Sequence, residues 1–103
     1  MAKSLVSGLR PVHPGEILRE DVLPALGRPK AEIARLLGIS RQTLYDILAE
    51  RQPVTAQMAI RIGKLCGNGH DIWFRLQNRY DMKMAEQAMA DVVGTIPTLQ
   101  EAA

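Results

Sequence analysis

The sequence predicts an all-α fold of five helices, and three observations carry that prediction. Apolar residues recur at three- and four-residue spacing, and the alternation expected of half-buried strands is absent. Proline, glycine and hydroxyl residues punctuate the apolar stripes where helices should start and stop. A chain of 103 residues, 47% hydrophobic, holds one small core and no second folded unit, and it leaves little room for a deep substrate cleft.

Each helix has its own signals. Pro14 suits a first helical position, Glu16 complements the helix dipole, and Ile17, Leu18 and Val22 form a stripe, so a first helix is expected over 14–22, closed by Pro24 and Gly27. Pro29 opens a second, with Ile33, Ala34 and Leu37 on one face and Gly38 as its stop. Ser40 is an N-cap for a third helix carrying Leu44, Ile47 and Leu48. Thr55 caps a fourth, with Met58, Ala59, Ile62, Leu65 and Cys66 at helical spacing before Gly67 and Gly69. The fifth is expected from Asp71 to Val93, with Trp73, Leu76, Tyr80 and Met84 on one side. Such a helix, about 34 Å long, exceeds what four short helices need to cover. Its second half stays apolar, which leaves two readings: it folds back over its own core or frays after Met84, or, the favoured one, it projects and pairs with another chain through Tyr80, Met84, Ala88, Met89 and Val92.

Helices two and three form the informative unit. Ala34 is small where two helices cross closely, and Gly38 can take the left-handed conformation of a sharp turn. Ile39, Leu44 and Ile47 fill the wedge between the helices. This is the pattern of a helix-turn-helix, whose second helix enters a DNA major groove. The solvent-facing residues left over are Ser40, Arg41, Gln42, Thr43, Tyr45, Asp46 and Ala49. Arg41 can read guanine and Gln42 adenine bidentately. Thr43 and Tyr45 suit phosphate or a thymine methyl, Ser40 offers a hydroxyl, and Lys30 and Arg51 stand at the ends of the motif for phosphate contact. Asp46 must face a base edge, pair with a basic side chain or lie off the groove, since it repels phosphate.

Charge placement agrees. The net charge of +2 is small, but residues 28–51 and 52–69 each carry +2, while residues 1–27 sum to zero and residues 70–103 to −2. The basic middle suits a polyanion, and the acidic end suits a different partner.

From His13 to Asp81 the chain resembles the HigA (VapI-like) antitoxins, a branch of the Cro/repressor-type (XRE) helix-turn-helix family. The carrying segments are His13-Pro14-Gly15-Glu16-Ile17-Leu18, Leu37-Gly38-Ile39-Ser40-Arg41-Gln42-Thr43-Leu44, and Trp73-Phe74-Arg75-Leu76-Gln77-Asn78-Arg79-Tyr80-Asp81. The resemblance implies a lambda-repressor-like bundle and a homodimer that binds a palindromic double-stranded operator and represses its own operon. It also implies a partner, a small basic HigB/RelE-like mRNA-cleaving toxin that the antitoxin neutralises. The chain departs from the family pattern at Pro29-Lys30, where a Ser or Thr cap followed by Gln is usual, and at Gly69, where Ser is usual. The expected organisation is a flexible segment 1–12, a DNA-binding domain 13–81, and a C-terminal extension and tail 82–103 that serves dimerisation.

Other readings carry less. A stand-alone regulator of the same fold, without a toxin, is the alternative, and a protein-binding module that has lost DNA binding is a third reading. An enzyme is the weakest, because His13 and His70 sit at helix starts and no nucleophile-base pair has a pocket. No cofactor is expected. Cys66 and His70 supply two metal ligands at most, so no metal is expected either, and Cys66 reads as a small core residue. Trp73, Phe74 and Tyr80 read as core rather than as base-stacking residues. A lone cysteine points to a reducing compartment such as the cytoplasm, and no apolar run approaches membrane-spanning length or marks a signal peptide.

Overall fold

The computed structural model describes residues 10–99. Most of the segment 1–12, and the end of the tail at 100–103, lie outside the described residues. All regular structure among the described residues is helical.

Helix α1 consists of three consecutive stretches: Pro14–Ile17, a wider π-type Leu18–Val22, and Leu23–Leu26. It therefore runs four residues beyond the expected end at Val22. A proline ring clashes with the carbonyl four residues back and offers no N–H. The widened turns just before Pro24 let the helix pass through it, with the Leu23 N–H donating to the Leu18 carbonyl. The expected fit of Pro14 to a first turn holds, and the buried His13 caps that turn by accepting from the Gly15 N–H at 2.9 Å. Glu16 stands in that first turn, as the dipole reading expects. It is buried at 4% exposure and accepts both guanidinium nitrogens of Arg10, each at 3.0 Å.

Helices α2 (Lys30–Leu37) and α3 (Arg41–Leu48) follow, joined by a turn in which Gly38 has φ +76°. A side chain rarely adopts that conformation, which is why glycine stands at the corner. Pro29 starts α2 without a side-chain cap, whereas Ser40 accepts from the Thr43 N–H at 3.0 Å. Helix α4 (Ala56–Cys66) is capped by Thr55, which accepts from the Met58 N–H at 3.2 Å. Helix α5 spans Asp71–Ala88, and a short α6 (Ala90–Val93) follows.

The continuous helix expected over 71–93 is thus interrupted. Met89 leaves helical geometry at φ −106°, ψ 12°, and Asp91 sits in the first turn of α6, where a carboxylate favours a new helix start. Eighteen residues give α5 a length of about 27 Å.

The core unites Leu18 and Leu23 of α1, Ile33, Ala34 and Leu37 of α2, Leu44, Ile47 and Leu48 of α3, Ala59 and Ile62 of α4, and Trp73 of α5, with Val54 from the preceding loop. Each fully buried aliphatic side chain contributes about 1.5–3 kcal/mol. The aromatic reading holds for Trp73 but not for Phe74, which is 51% exposed because it lies a quarter-turn off the buried stripe. Tyr80 is half-buried, its ring edge-on to His13 at 4.8 Å. Cys66 is half-buried rather than buried, and desolvation pushes its thiol upward. Gln77 is buried, accepts from the Val54 N–H at 2.7 Å and donates to Asp81 at 2.9 Å, so a polar tie anchors α5 to the loop before α4. Beyond Tyr80 burial stops: of the described residues after it, all but Lys83 are exposed. The molecule is correspondingly elongated, 56 × 27 × 23 Å. No described helix is long and apolar enough to cross a membrane.

His13 links this packing to pH. Burial lowers its pKa, against the pull of Glu50 and Asp81, and its Nδ1 can accept from Gly15 only while unprotonated. The unfolded chain, with a histidine pKa of about 6.5, binds the proton more readily than the native state, so stability should fall as pH drops below about 6.5, by at most about 1.4 kcal/mol per pH unit. Chemical denaturation between pH 7.5 and 5.5 reads this loss. His13→Asn, which keeps an acceptor but does not titrate, should flatten it; an unchanged slope would show that His13 is not the group responsible.

Candidate nucleic-acid interface

Three features fix α3 in place. At its N-terminal side, Arg61 of α4 donates to the Leu37 carbonyl at 2.8 Å, closing the end of α2 beside Gly38. At its far end, Arg19 of α1 donates to the Leu48 carbonyl and pairs with Glu50 at 3.3 Å. Glu50 itself holds φ +64°, a left-handed conformation rare for a residue with a side chain. Between them, α1 crosses so close that a β-carbon on Gly15 would stand 1.9 Å from the Ile47 carbonyl oxygen. Neither arginine nor the glycine contact was visible in the periodicity, because each spans about 24 to 32 residues of sequence.

The buried side of α3 is Leu44, Ile47 and Leu48, as the spacing predicts. Its other side presents the expected residues, though in different states. Arg41 is exposed and makes no hydrogen bond or ion pair among the described residues. Gln42 is exposed, and its Nε2 donates to Asp46 Oδ1 at 2.9 Å. Tyr45 is 43% exposed, with Ala49 exposed one turn later. The hydroxyls of Ser40 and Thr43 bond each other at 2.9 Å, so Ser40 serves as a helix cap with its donor engaged inside the chain. Asp46 pairs with Arg51 at 2.7 Å, one of the options open to it from sequence. The Arg51 and Gln42 bonds hold its carboxyl below the usual carboxylate range.

Lys30 stands exposed at the start of α2 without a side-chain partner, while the neighbouring Arg28 and Arg35 pair with Glu32 at 2.6 and 4.0 Å. Within the helix-turn-helix, among the described residues, the cations without a partner are therefore Lys30 and Arg41, with Arg51 63% exposed beside its carboxylate. Such a face offers guanidinium and amide groups to base edges, a helix N-terminus to phosphate, and little apolar surface. No cluster of three metal-capable side chains forms among the described residues.

On the opposite end, Met84 (43%), Met89 (41%) and Val92 (49%) are exposed along α5 and α6, together with Ala88. Tyr80 marks the boundary where the helix leaves its own core.

A family model described as helix-turn-helix matches residues 18–73. The chain is similar to the solved structure of antitoxin GraA, with a TM-score of 0.83 and 40% identity over 89% of this chain and 100% of that one. It is equally similar in shape to a structure of the Pseudomonas aeruginosa antitoxin HigA with the higBA promoter, at TM-score 0.83 and 36% identity over 88% of this chain and 100% of that one. Virulence-associated protein I of Dichelobacter nodosus is 35% identical over 91 residues, 88% of this chain and 84% of its own length.

Proposed function

We infer that this chain, which belongs to the HigA (VapI-like) antitoxin family of helix-turn-helix proteins, is a dimeric operator-binding repressor and the antitoxin of a type II toxin–antitoxin pair. The observation that carries the reading is α3 itself: a helix held at its far end by Arg19, preceded by an α2 end that Arg61 closes, and presenting unpaired Arg41 at its N-terminal turn. Its N-terminal half enters the major groove, where Arg41 reads guanine and Gln42 adenine. Thr43 and Tyr45 meet backbone or a thymine methyl, and Lys30 and Arg51 meet phosphates. Ser40 contributes by capping the helix, and Asp46 is tolerated because Arg51 neutralises it.

A net charge of +2 supplies modest attraction to DNA, so tight binding calls for two copies. The exposed Met84, Ala88, Met89 and Val92 supply the second-copy surface, with Tyr80 at its base. Two-fold symmetry then sets half-site centres about 34–36 Å apart, or a multiple of that. Truncation after Asp81 removes this surface while leaving every buried core residue, so it should convert a dimer to a folded monomer. Sedimentation analysis checks the mass; a truncated protein that remains dimeric would place the interface elsewhere.

The toxin reading is tested by co-expression with the adjoining gene. Copurification of a small basic protein whose mRNA cleavage is blocked in the complex supports it. A chain that binds its operator alone and retains no neighbour product is instead a stand-alone regulator. Its role is binding in both cases, and no catalytic residue is assigned.

A further inference from the structure

A carboxylate is costly on a helix face turned toward a polyanion, yet Asp46 lies in the middle of that face. Its environment is built rather than incidental. Asp46 Oδ1 accepts from Gln42 Nε2 at 2.9 Å and from Arg51 Nη2 at 2.7 Å, and the Arg51 backbone N–H donates to the Asp46 carbonyl at 2.8 Å. Arg51 thus folds back on Asp46 through both main chain and side chain. The Asp46 side chain is only 25% exposed, beside an arginine that is 63% exposed.

The chemistry of these groups fixes the amide. An ionised carboxylate is acceptor-only, so it can take the nitrogen end of Gln42 and repels the oxygen end. One Nε2 hydrogen is spent on Asp46. The second hydrogen and Oε1 remain, and they form a donor–acceptor pair that matches N7 and N6 of adenine. A glutamine without the tether is free to rotate and present its nitrogen alone, which suits the acceptors of guanine as well. Placement at i and i+4 keeps both residues on one helix face.

We propose that Asp46 is a specificity-determining positioning residue: charge-neutralised by Arg51, it holds the Gln42 amide in the one orientation that selects adenine at its base pair. The proposal rests on the reading of Gln42 as a base-contacting residue, and the test separates the two. Full-length protein is titrated, at fixed salt, with operator duplexes in which each base pair of a half-site is replaced in turn.

Gln42→Ala should abolish discrimination at one A·T pair. Asp46→Ala should reduce discrimination at that same pair by about tenfold, while its affinity for unrelated DNA holds or rises because a negative charge has gone. Asp46→Asn, whose side-chain oxygen can still accept from Gln42, should retain part of the preference. Adding Asp46→Ala to Gln42→Ala should cause no further loss at that pair. If Gln42→Ala changes the preference and Asp46→Ala leaves it intact, or weakens all sequences alike, the positioning role falls and the Gln42 reading stands. If Gln42→Ala leaves every preference intact, both fall.

Discussion

Gly15→Ala should destabilise the protein by about 3 kcal/mol or more, lowering its melting temperature by roughly 12 °C or beyond. The added carbon would stand 1.9 Å from the Ile47 carbonyl oxygen and 3.0 Å from both the Ile47 carbonyl carbon and His13 Nδ1. Two of these three neighbours are backbone, which cannot rotate away as the end of a flexible side chain can. Relief requires α1 and the last turn of α3 to separate. That movement would also disturb the His13 cap and the ring contact with Tyr80, since both meet at the same first turn. Thermal unfolding followed by circular dichroism measures the loss. A drop of less than about 4 °C, equivalent to about 1 kcal/mol or less, would mean that the helices part easily there. Gly→Ala at an exposed helical position would instead stabilise by about 0.5–1 kcal/mol, so a loss here isolates the helix crossing.

The second large effect falls on DNA rather than on stability. Arg41→Ala combined with Gln42→Ala should lower operator affinity about 30-fold or more, since each bidentate base contact carries about 1–3 kcal/mol of discrimination. Both side chains are exposed, and neither is part of the buried core. The variant should therefore melt close to the parent and retain weak, salt-sensitive binding to unrelated sequence through Lys30 and Arg51. A mobility-shift titration with operator and scrambled duplexes reads the ratio. An unchanged ratio would remove these two residues from base recognition and turn attention to Tyr45 and Ala49 on the following turns.

Much of this architecture could be read from residue order alone, and the reason is periodicity. Ile33, Ala34, Leu37, Leu44 and Ile47 recur at helical spacing, and all five are buried. Ser40 and Thr55 are caps because a short hydroxyl can reach an N–H three residues on, a wholly local bond. What escaped prediction was either non-local or left unconstrained. Arg61 and Arg19 bond carbonyls 24 and 29 residues away, and no local pattern marks such partners. Glu16 reads as an acid that complements the helix dipole, and nothing in the pattern marks its burial against Arg10. The break at Met89 follows no proline or glycine. It falls where α5 has already left the core, so packing no longer enforces one straight helix.

The loss of burial past Tyr80 bears on how the proposed repressor would sense its own abundance. Under the proposed pairing of two copies through that unburied stretch, the operator would respond to dimer, and at low abundance dimer rises as the square of the monomer concentration. Promoter occupancy would then change more steeply than protein level does. A doubling of the chain would raise dimer about fourfold in that regime, and the response would flatten once dimer predominates. Shortening or blunting the methionine-bearing end of α5 would shift the concentration at which repression sets in, without touching a single base contact.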